Sequence, residues 1–575
     1  NYSQADALWL PELPKKIFLE ELFEELSETR ERLEAKGSPK AEDALAQQRP
    51  GREPVLKLGL CDDPENQQRF VLTYTSVTQG HLALCAGPAT GKTSFLQMLL
   101  WQLCESYEPW EVQILAVDVG QENLGDFYAM PHCLGVLKKK EGKDIFFYHL
   151  KRLMDERKTK LSGLSCLQYN KSGKGKMPYL YLAVDNFGEL KKIWEEKQEE
   201  LFLKIATEGI TLGIYLVLSA SGVGEIGGRL FEKIRTTLAF EMSDRFQYGD
   251  VLRQYYLPVL PEENCKGRGL CRSDGRVLEF QAAMIGEGQE DYAYLGQIKE
   301  HGKRKTQEIV AKGERLPEKF PVLPKRVDFE MLARDFDWKQ GRIPLGYSLS
   351  TGEIKGISLE KARCFLISGK ERTGRSAILG CMVEGMQRLG GQVVVLDEEK
   401  RLSHLTDSAG VIYLKDEMEA EDWRLACEKS SLGETDSLGI SVFIANIGHF
   451  CRFLYGNSGD REERIRFWEE AATGKGTVGF LAGIYHPERD YEASGTRFFQ
   501  EFITWQQGIH LGGNVAGQRA LSFDDLSYAM QNQWEAPGTG YLKEGAGSST
   551  CKLRLPVERK GDRDDFSGCS ESCIG

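Results

Sequence analysis

A glycine-bounded loop followed by Lys-Thr is the first stretch of the sequence that could do chemistry. Residues 86–93 read AGPATGKT and approximate the phosphate-binding pattern GxxxxGK[ST]. In that pattern backbone N–H groups wrap the phosphates, the lysine reaches the β/γ oxygens and the last hydroxyl helps to hold Mg²⁺. Ala86 replaces the first glycine of the pattern. We predict a nucleotide-binding loop consisting of Gly87, Pro88, Ala89, Thr90, Gly91, Lys92, Thr93 and Ser94.

The residues on either side of this loop support the same interpretation. The apolar run HLALCA before it predicts a strand, and SFLQMLLWQL after it predicts a helix. Phosphates bound by the loop would therefore lie at a helix N-terminus, where the backbone N–H groups and the helix dipole favour anions. A strand–turn–helix without a nucleotide is the alternative.

A magnesium site also needs an aspartate at the end of a buried strand. Asp185 ends the run YLYLAVD, so we expect Thr93 and Asp185 to hold Mg²⁺ through water. A hydrolytic enzyme of this class usually has a glutamate next, but the next residue is Asn186, which cannot accept a proton. Losing such a base typically costs ~10²–10⁴ in rate. Glu189, three residues after Asn186, is misplaced for the role of the base unless the turn is unusual. Ser219 ends another predicted strand, at a place where a γ-phosphate sensor could lie.

A second loop resembles the first but has lost its lysine. Residues 369–376 read GKERTGRS, with Gly369 and Gly374 correctly spaced, Arg375 in place of lysine and Ser376 after it. Arginine is longer and planar, so it does not substitute neutrally for a point charge. The run GISVFIAN ends in Asn446, where we expect an aspartate in a competent site. Both changes favour weak or absent Mg-ATP binding, and binding without turnover is the alternative.

The two loops belong to a tandem repeat. FPVLPKRVDF, GRIPLGYSL and GTGYLKEG repeat in order the landmarks LWLPELPKKIF, PVLKLGLCD and GRGLCRSDG. Within each copy, buried apolar runs alternate with helical patterns, which predicts a mostly parallel sheet with helices on both faces. We therefore predict two copies of one α/β module.

Charged and Pro-rich stretches place the boundaries of the modules. We assign residues 1–53 to a leading linker and helix with a mobile stretch, and residues 54–300 to the module with the near-intact loop. Residues 301–340 are assigned to a linker and a helix that leads into the second module. Residues 341–575 form the degenerate module.

Composition excludes several other classes of protein. The 575 residues carry a net charge of −12, which disfavours a protein that neutralises DNA phosphates over a wide surface. No apolar run approaches the ~18 residues of a membrane span. Because the chain begins at Asn1 rather than Met, we expect it to be part of a longer protein.

Several motifs together resemble the FtsK/SpoIIIE class of RecA-like motors, and within it the EssC/EccC ATPases of type VII secretion. The supporting segments are ILAVDVGQENLGDFYAMPHCLGVL, VDNFGEL and EGITLGIYLVLSAS in the first module, and IPLGYSL, GIHLGGN and PGTGYL in the second. That family carries three ATPase domains behind a membrane anchor, and this chain resembles the second and third. The resemblance implies two tandem RecA-like P-loop NTPase domains.

The resemblance also implies a function and partners. We expect a segment on the cytoplasmic face of the membrane that binds Mg-ATP in its first module, hydrolyses it poorly and helps to assemble a hexamer. Secreted helical-hairpin (WXG-type) proteins are the implied substrates, beside other secretion components, and no nucleic acid is expected. Two alternatives remain open. They are an FtsK-like double-stranded DNA translocase fragment and an ATP-free scaffold, the latter in conflict with Lys92, Thr93 and Asp185.

Overall fold

The computed structural model describes residues 12–23, 53–119, 123–289, 292–406, 408–429, 439–456, 461–475 and 477–556. Its contacts divide the chain into two units, Asn1–Pro321 and Val322–Gly575. Each unit has its own sheet and its own loop of the predicted type. In the part of the chain described, no helix combines the length and the apolarity that crossing a bilayer would require.

The first unit is built on a 10-stranded sheet with the strand order β2-β1-β10-β9-β8-β3-β7-β6-β4-β5. Its strands are β1 Val55–Asp63, β2 Gln68–Thr75, β3 Leu82–Cys85, β4 Val112–Asp118, β5 Cys133–Leu137, β6 Tyr179–Asp185, β7 Ile214–Ala220, β8 Thr236–Phe240, β9 Arg268–Ser273 and β10 Arg276–Ala282. The six strands from β8 to β5 are parallel. The remaining four extend the sheet with antiparallel pairings.

The second unit repeats this topology strand for strand, in the order β12-β11-β20-β19-β18-β13-β17-β16-β14-β15. Its strands are β11 Arg342–Ser348, β12 Ile354–Ser358, β13 Cys364–Gly369, β14 Gln392–Leu396, β15 Val411–Leu414, β16 Ile440–Ile444, β17 Val478–Tyr485, β18 Gln507–Gly513, β19 Glu535–Glu544 and β20 Cys551–Arg554. Each strand of one sheet therefore has a counterpart ten strands later, which establishes the tandem repeat.

Helices occur both between the parallel strands and outside the parallel part of each sheet. In the first unit they are α1 Ser76–Gln79, α2 Lys92–Ser106, α3 Lys143–Leu161, α4 Cys166–Lys171, α5 Phe187–Ile193, α6 Glu196–Leu212, α7 Val223–Ile226, α8 Gly228–Phe231, α9 Arg245–Leu252 and α10 Tyr292–Ala311. In the second unit they are α11 Phe329–Asp335, α12 Arg375–Arg388, α13 Glu417–Lys429, α14 Ile447–Tyr455, α15 Arg461–Thr473, α16 Arg497–Trp505 and α17 Tyr528–Asn532. Short 3₁₀ turns lie at Pro64–Asn66, Gly125–Ala129, Lys140–Gly142, Trp338–Gln340, Ser403–Leu405 and Tyr491–Gly495.

The central strands are buried along their whole length. Every residue of β3, β6 and β7 is buried, as expected for parallel strands covered by helices on both faces. The carboxyl ends of these strands lie at one edge of the sheet because the strands run parallel. The loop after β3 and the polar residues that end β6 and β7 therefore come together at that edge.

The segment 301–340, predicted to be a linker and a helix leading into the second module, contains helical residues that belong to both units. The predicted linker contains the end of α10, which packs on the first unit through the buried Ile298 and Ile309. The contact pattern divides the segment 301–340 between the units, with α11 in the second. The predicted mobile stretch in residues 1–53 lies largely outside the described residues.

Arginine side chains fix the segment that leads into each sheet. Arg268 donates from Nη2 to the carbonyl oxygens of Leu13 (3.0 Å) and Pro14 (3.3 Å). In the second unit Arg554 donates to the carbonyl oxygen of Pro324 at 3.1 Å. The two Leu-Pro segments that the repeat analysis paired are therefore each tied down through a proline carbonyl.

Candidate nucleotide-binding site

The first loop lies between β3 and the N-terminus of α2, as predicted. Its turn requires left-handed backbone at Ala89 (φ 58°) and Gly91 (φ 104°). Thr90 closes the turn by donating from Oγ1 to the carbonyl oxygen of Gly87 at 2.9 Å. Pro88 lies within this turn, and Ser94 lies in the first turn of α2, where its carbonyl oxygen accepts from Gln289 at 2.7 Å.

Lys92 is folded back over the loop. Its Nζ donates to the carbonyl oxygens of Ala86 (2.7 Å) and Gly87 (2.5 Å). Burial lowers the pKa of Lys92 below its usual value, and the carboxylates of Asp185 and Glu225 partly oppose that shift. The ammonium group therefore lies next to the place that phosphates take in such a loop, held by carbonyl oxygens that an anionic ligand could replace.

The predicted magnesium residues meet in a hydrogen-bonded cluster. Thr93 Oγ1 donates to Asp185 Oδ2 at 2.7 Å, and Ser219 Oγ donates to Asp185 Oδ1 at 2.6 Å. Ser219 Oγ also accepts from the backbone N–H of Asn186 at 2.8 Å. The chemistry of this set fits Mg²⁺, because a hydroxyl and a carboxylate are oxygen ligands that can hold a hydrated ion. Ser219, at the end of β7, lies where a γ-phosphate sensor could act.

The turn after Asp185 contains no carboxylate in the position of a base. Asn186 has left-handed backbone (φ 52°), a conformation that asparagine tolerates better than glutamate. Glu189 lies one turn into α5 and forms an ion pair with Lys192 at 2.6 Å. Neither side chain has a contact that would make it a base for the first loop.

Sequence reasoning missed Glu225, which follows β7 in a glycine-rich segment. Its Oε2 accepts from the backbone N–H of Ser221 at 2.7 Å. Its carboxyl carbon lies 3.0 Å from the position that a Cβ on Gly188 would occupy. Because this charge also acts on Lys92, Glu225 belongs to the surroundings of the first loop. The only sequence signal was a lone acidic residue four positions after Ser221.

The second loop retains the backbone of the first. Arg372 (φ 59°) and Gly374 (φ 98°) reproduce the two left-handed positions. Thr373 Oγ1 donates to the carbonyl oxygen of Lys370 at 2.7 Å, as Thr90 does in the first loop. Gly369 also has positive φ (144°), and a Cβ there would lie 2.4 Å from the carbonyl oxygen of Leu511. The sequence has changed, but the local geometry has not.

Strand register shifts the assignment of Asn446 by one residue. Val117 pairs with Val184 in the first sheet, and Leu396 pairs with Ile444 in the second. The aspartates that follow Val117 and Leu396, at positions 118 and 397, both accept a backbone N–H from a leucine five or six residues later. The counterpart of Asp185 is therefore Ala445. Asn446 corresponds to Asn186 and, like it, is the N-cap of the helix that follows.

The metal-binding side of the second site is apolar. Ala445 is buried in the place of Asp185. Ile484 is buried in the place of Ser219, because it pairs with Ile367 in the second sheet as Ser219 pairs with Leu84 in the first. Ser376 follows Arg375 in the first turn of α12 and, in the described contacts, has no carboxylate counterpart to Asp185. Of the groups that could hold a hydrated magnesium ion in the first unit, the second retains the hydroxyl of Ser376 and lacks counterparts to the polar side chains of Asp185 and Ser219.

The loops, the aspartate that ends β6 and the strand order define a tandem P-loop NTPase fold, and comparisons with known proteins agree. Residues 42–176 match the FtsK/SpoIIIE family. The chain is 24% identical over 70% of its length to the type VII secretion system protein EssC of Staphylococcus aureus (strain MRSA252). It is 23% identical over 86% of its length to the ESX secretion system protein YukB of Bacillus subtilis (strain 168). It spans only 26% and 34% of these relatives' lengths.

Solved structures confirm the predicted fold. ATPases 2 and 3 of EssC from Geobacillus thermodenitrificans match 95% of this chain and 99% of that chain, with a TM-score of 0.74 and 19% identity. ATPases 2 and 3 of EccC from Thermomonospora curvata, in complex with a signal sequence peptide, match 88% and 94% with a TM-score of 0.56 and 20% identity. The predicted resemblance to the second and third ATPase domains is confirmed.

Proposed function

We propose that this chain is the part of a type VII secretion motor that binds Mg-ATP in its first unit and hydrolyses it poorly. The observation that carries the proposal is the cluster of Thr93, Asp185 and Ser219 beside Lys92. In this cluster the lysine would contact the phosphates, and Thr93 with Asp185 would hold Mg²⁺ through water. The curated relatives named above supply the secretion context.

Weak turnover follows from the residues after Asp185. An attacking water needs a group that orients it and accepts its proton, and Asn186 offers an amide in left-handed backbone. Bound ATP would then act as a structural or regulatory ligand. Weak turnover also disfavours the alternative of a DNA translocase, which must hydrolyse ATP continuously. The net charge of −12 disfavours it further, because a protein that binds DNA must attract the negatively charged phosphate backbone.

Recruitment of cargo is the second part of the proposal. The second unit keeps the whole sheet while its metal side has become apolar, so its fold is free to serve as a docking surface. A signal sequence peptide is bound in the EccC structure named above, which supports a tail of a secreted helical-hairpin protein as the ligand. Hexamer assembly, contact with other secretion components and attachment to a membrane by a further region complete the proposed role.

The decisive test is titration calorimetry of Mg-ATP on the full chain and on Lys92→Ala. Removing a charged contact to the phosphates is worth ~1.5–3 kcal/mol, so the affinity should fall by about 10- to 150-fold. Exposed Lys299 provides the control, and Lys299→Ala should bind as the unchanged chain does. Equal affinities for Lys92→Ala and the unchanged chain would refute the assignment of the site.

Recruitment is tested separately by fluorescence titration of tail peptides from secreted helical-hairpin proteins. Saturable binding to the full chain at ~0.15 M salt is expected, and duplex DNA should not bind tightly under the same conditions. Submicromolar DNA binding without peptide binding would favour the translocase instead.

A further inference from the structure

The most unusual charge in the second unit is the guanidinium of Arg375. The residue is 5% exposed. Among the described residues it forms no ion pair, and it makes one long hydrogen bond, of 3.4 Å from Nη1 to the carbonyl oxygen of Tyr485. A buried charge is costly unless it is paired and hydrogen-bonded. Arg375 is the first residue of the helix that follows the second loop, and its other guanidinium N–H groups have no protein partner among the described hydrogen bonds.

The neighbouring charges do not neutralise Arg375. Burial, and then the nearby charge of Arg401, lowers the pKa of Arg375 to about 10, so it remains a cation at neutral pH. Arg489 adds a further positive charge, and Glu371 and Asp490 act on Arg375 from beyond ion-pair distance. Both acidic groups instead approach Arg489, at 3.7 Å and 3.6 Å.

The loop next to Arg375 keeps the geometry that cradles phosphates, whereas the groups that would hold a metal are gone. The two left-handed positions and the Thr373 hydrogen bond match the first loop closely. Ala445 and Ile484 cannot hold a hydrated Mg²⁺ ion, because neither side chain has an oxygen ligand. What remains is a loop with phosphate-type backbone followed by a buried cationic side chain.

We propose that the second loop binds a diphosphate group without Mg²⁺, with Arg375 supplying the charge that a metal ion supplies in the first loop. Guanidinium groups suit phosphate oxygens because their planar donors bind in pairs. The group could belong to inorganic pyrophosphate or to a nucleoside diphosphate. This inference goes beyond the proposed function, since it rests on neither Lys92 nor cargo recruitment.

Glu371 would compete with such a ligand. It lies on the loop itself, its side chain is 61% exposed, and its carboxylate approaches both Arg489 and the Nε2 atom of His486 (4.0 Å). An arriving diphosphate would replace this carboxylate beside Arg489 and near Arg375. Removing the charge of Glu371 should therefore tighten binding.

The test uses the full chain with Lys92→Ala, which weakens the first loop, and titrates inorganic pyrophosphate in EDTA by calorimetry. One saturable event is expected, and excess Mg²⁺ should weaken it because the magnesium complex carries less negative charge. ADP in a parallel titration distinguishes the sources. Tighter ADP binding indicates a nucleotide ligand, and equal or tighter pyrophosphate binding indicates the free anion. Absence of binding in EDTA, or binding that needs Mg²⁺, would overturn the proposal.

Three variants in the same background make the test specific. Arg375→Gln should lower the pyrophosphate affinity about tenfold or more, Arg375→Lys should lower it less, and Glu371→Gln should raise it. Thermal unfolding without ligand checks that each variant folds. If Arg375→Gln does not fold, the pyrophosphate affinity of Glu371→Gln becomes the test. An unchanged affinity in Glu371→Gln would then contradict the proposal. Equal binding by folded Arg375→Gln also overturns it. None of these results alters the Mg-ATP test of Lys92.

Discussion

The two loops of this chain share one backbone and differ in almost everything that surrounds it. In the first, Lys92 folds over the loop and Thr93 bonds to Asp185, which Ser219 also contacts. In the second, Arg375 turns toward the end of β17, and Ala445 and Ile484 occupy the places of Asp185 and Ser219. The loop shape is thus common to both units, whereas the complete set of candidate metal-binding groups is present only in the first.

The difference shows that the loop shape and the candidate metal-binding groups depend on separate parts of the chain. The shape needs left-handed positions and a threonine within a few residues, so a short segment specifies it. The metal side is assembled from the ends of two further strands, and Asp185 lies 92 residues after Thr93. Substitutions just after β16 and at the end of β17 can therefore remove the candidate metal-binding groups and leave the loop shape intact.

The largest expected effect comes from restoring a base in the first site. Asn186→Glu should raise ATP turnover by ~10²-fold or more, because a carboxylate could orient water and accept its proton. It should also destabilise the first unit by ~1–2 kcal/mol, because residue 186 has left-handed backbone. Steady-state phosphate release and thermal unfolding measure the two effects.

The matched change in the second unit is Asn446→Glu. Asn446 has extended backbone (φ −148°), and it lies beside Ala445 rather than an aspartate. This variant should leave turnover unchanged. A flat rate in Asn186→Glu with intact Mg-ATP affinity would place the attacking water beyond the reach of that residue.

The next largest effect is expected from a substitution that makes the first site resemble the second. Asp185→Asn should lower the Mg²⁺-dependent part of the ATP affinity by ~10–100-fold, the usual cost of losing a group that holds a metal through its outer shell. Binding of ATP in EDTA should change less, because Lys92 remains. Calorimetry with and without Mg²⁺ separates the Mg²⁺-dependent part of the ATP affinity from the rest. Asp250 is exposed, so Asp250→Asn serves as the control. An unchanged Mg²⁺ dependence would remove Asp185 from the metal site.

Much of this comparison could be predicted from sequence. Both loops are local patterns in which glycine spacing implies backbone conformation. The buried strands are near-continuous apolar runs, so the parallel half of each sheet could be predicted too. The antiparallel half is held by pairings between distant segments, such as Gly59 with Ala282. No local pattern reports such pairings.

The errors of assignment have physical causes. The apolar run of β16 continues through Ala445, so hydrophobicity alone extends the strand by one residue and pairs Asn446 with Asp185. Glu225 lies in a glycine-rich segment without periodicity, and only the folded chain brings it near Lys92. The charged residues of α10 look like a linker because they face solvent, whereas Ile298 and Ile309 pack inward.

The last expected effect is on stability alone and concerns a pair of glycines that also correspond between the units. Gly188 and Gly448 are each the second residue of the helix after the asparagine N-cap, and each faces a carboxylate. A Cβ on Gly448 would lie 2.2 Å from Asp490 Cγ, and a Cβ on Gly188 would lie 3.0 Å from the carboxyl carbon of Glu225. The same architecture therefore leaves different amounts of room.

Gly448→Ala should cost ~1–3 kcal/mol of stability, because Asp490 is short, is 1% exposed and accepts the backbone N–H of His486 at 3.1 Å. Gly188→Ala should cost less than ~1 kcal/mol, because the longer Glu225 side chain can move away. Gly495→Ala is the control, since nothing lies within 4 Å of its Cβ position. Hydrogen exchange read separately on peptides of each unit locates the loss. Equal losses in Gly188→Ala and Gly448→Ala would mean that the buried Asp490 side chain can move away from an added Cβ as readily as Glu225 does.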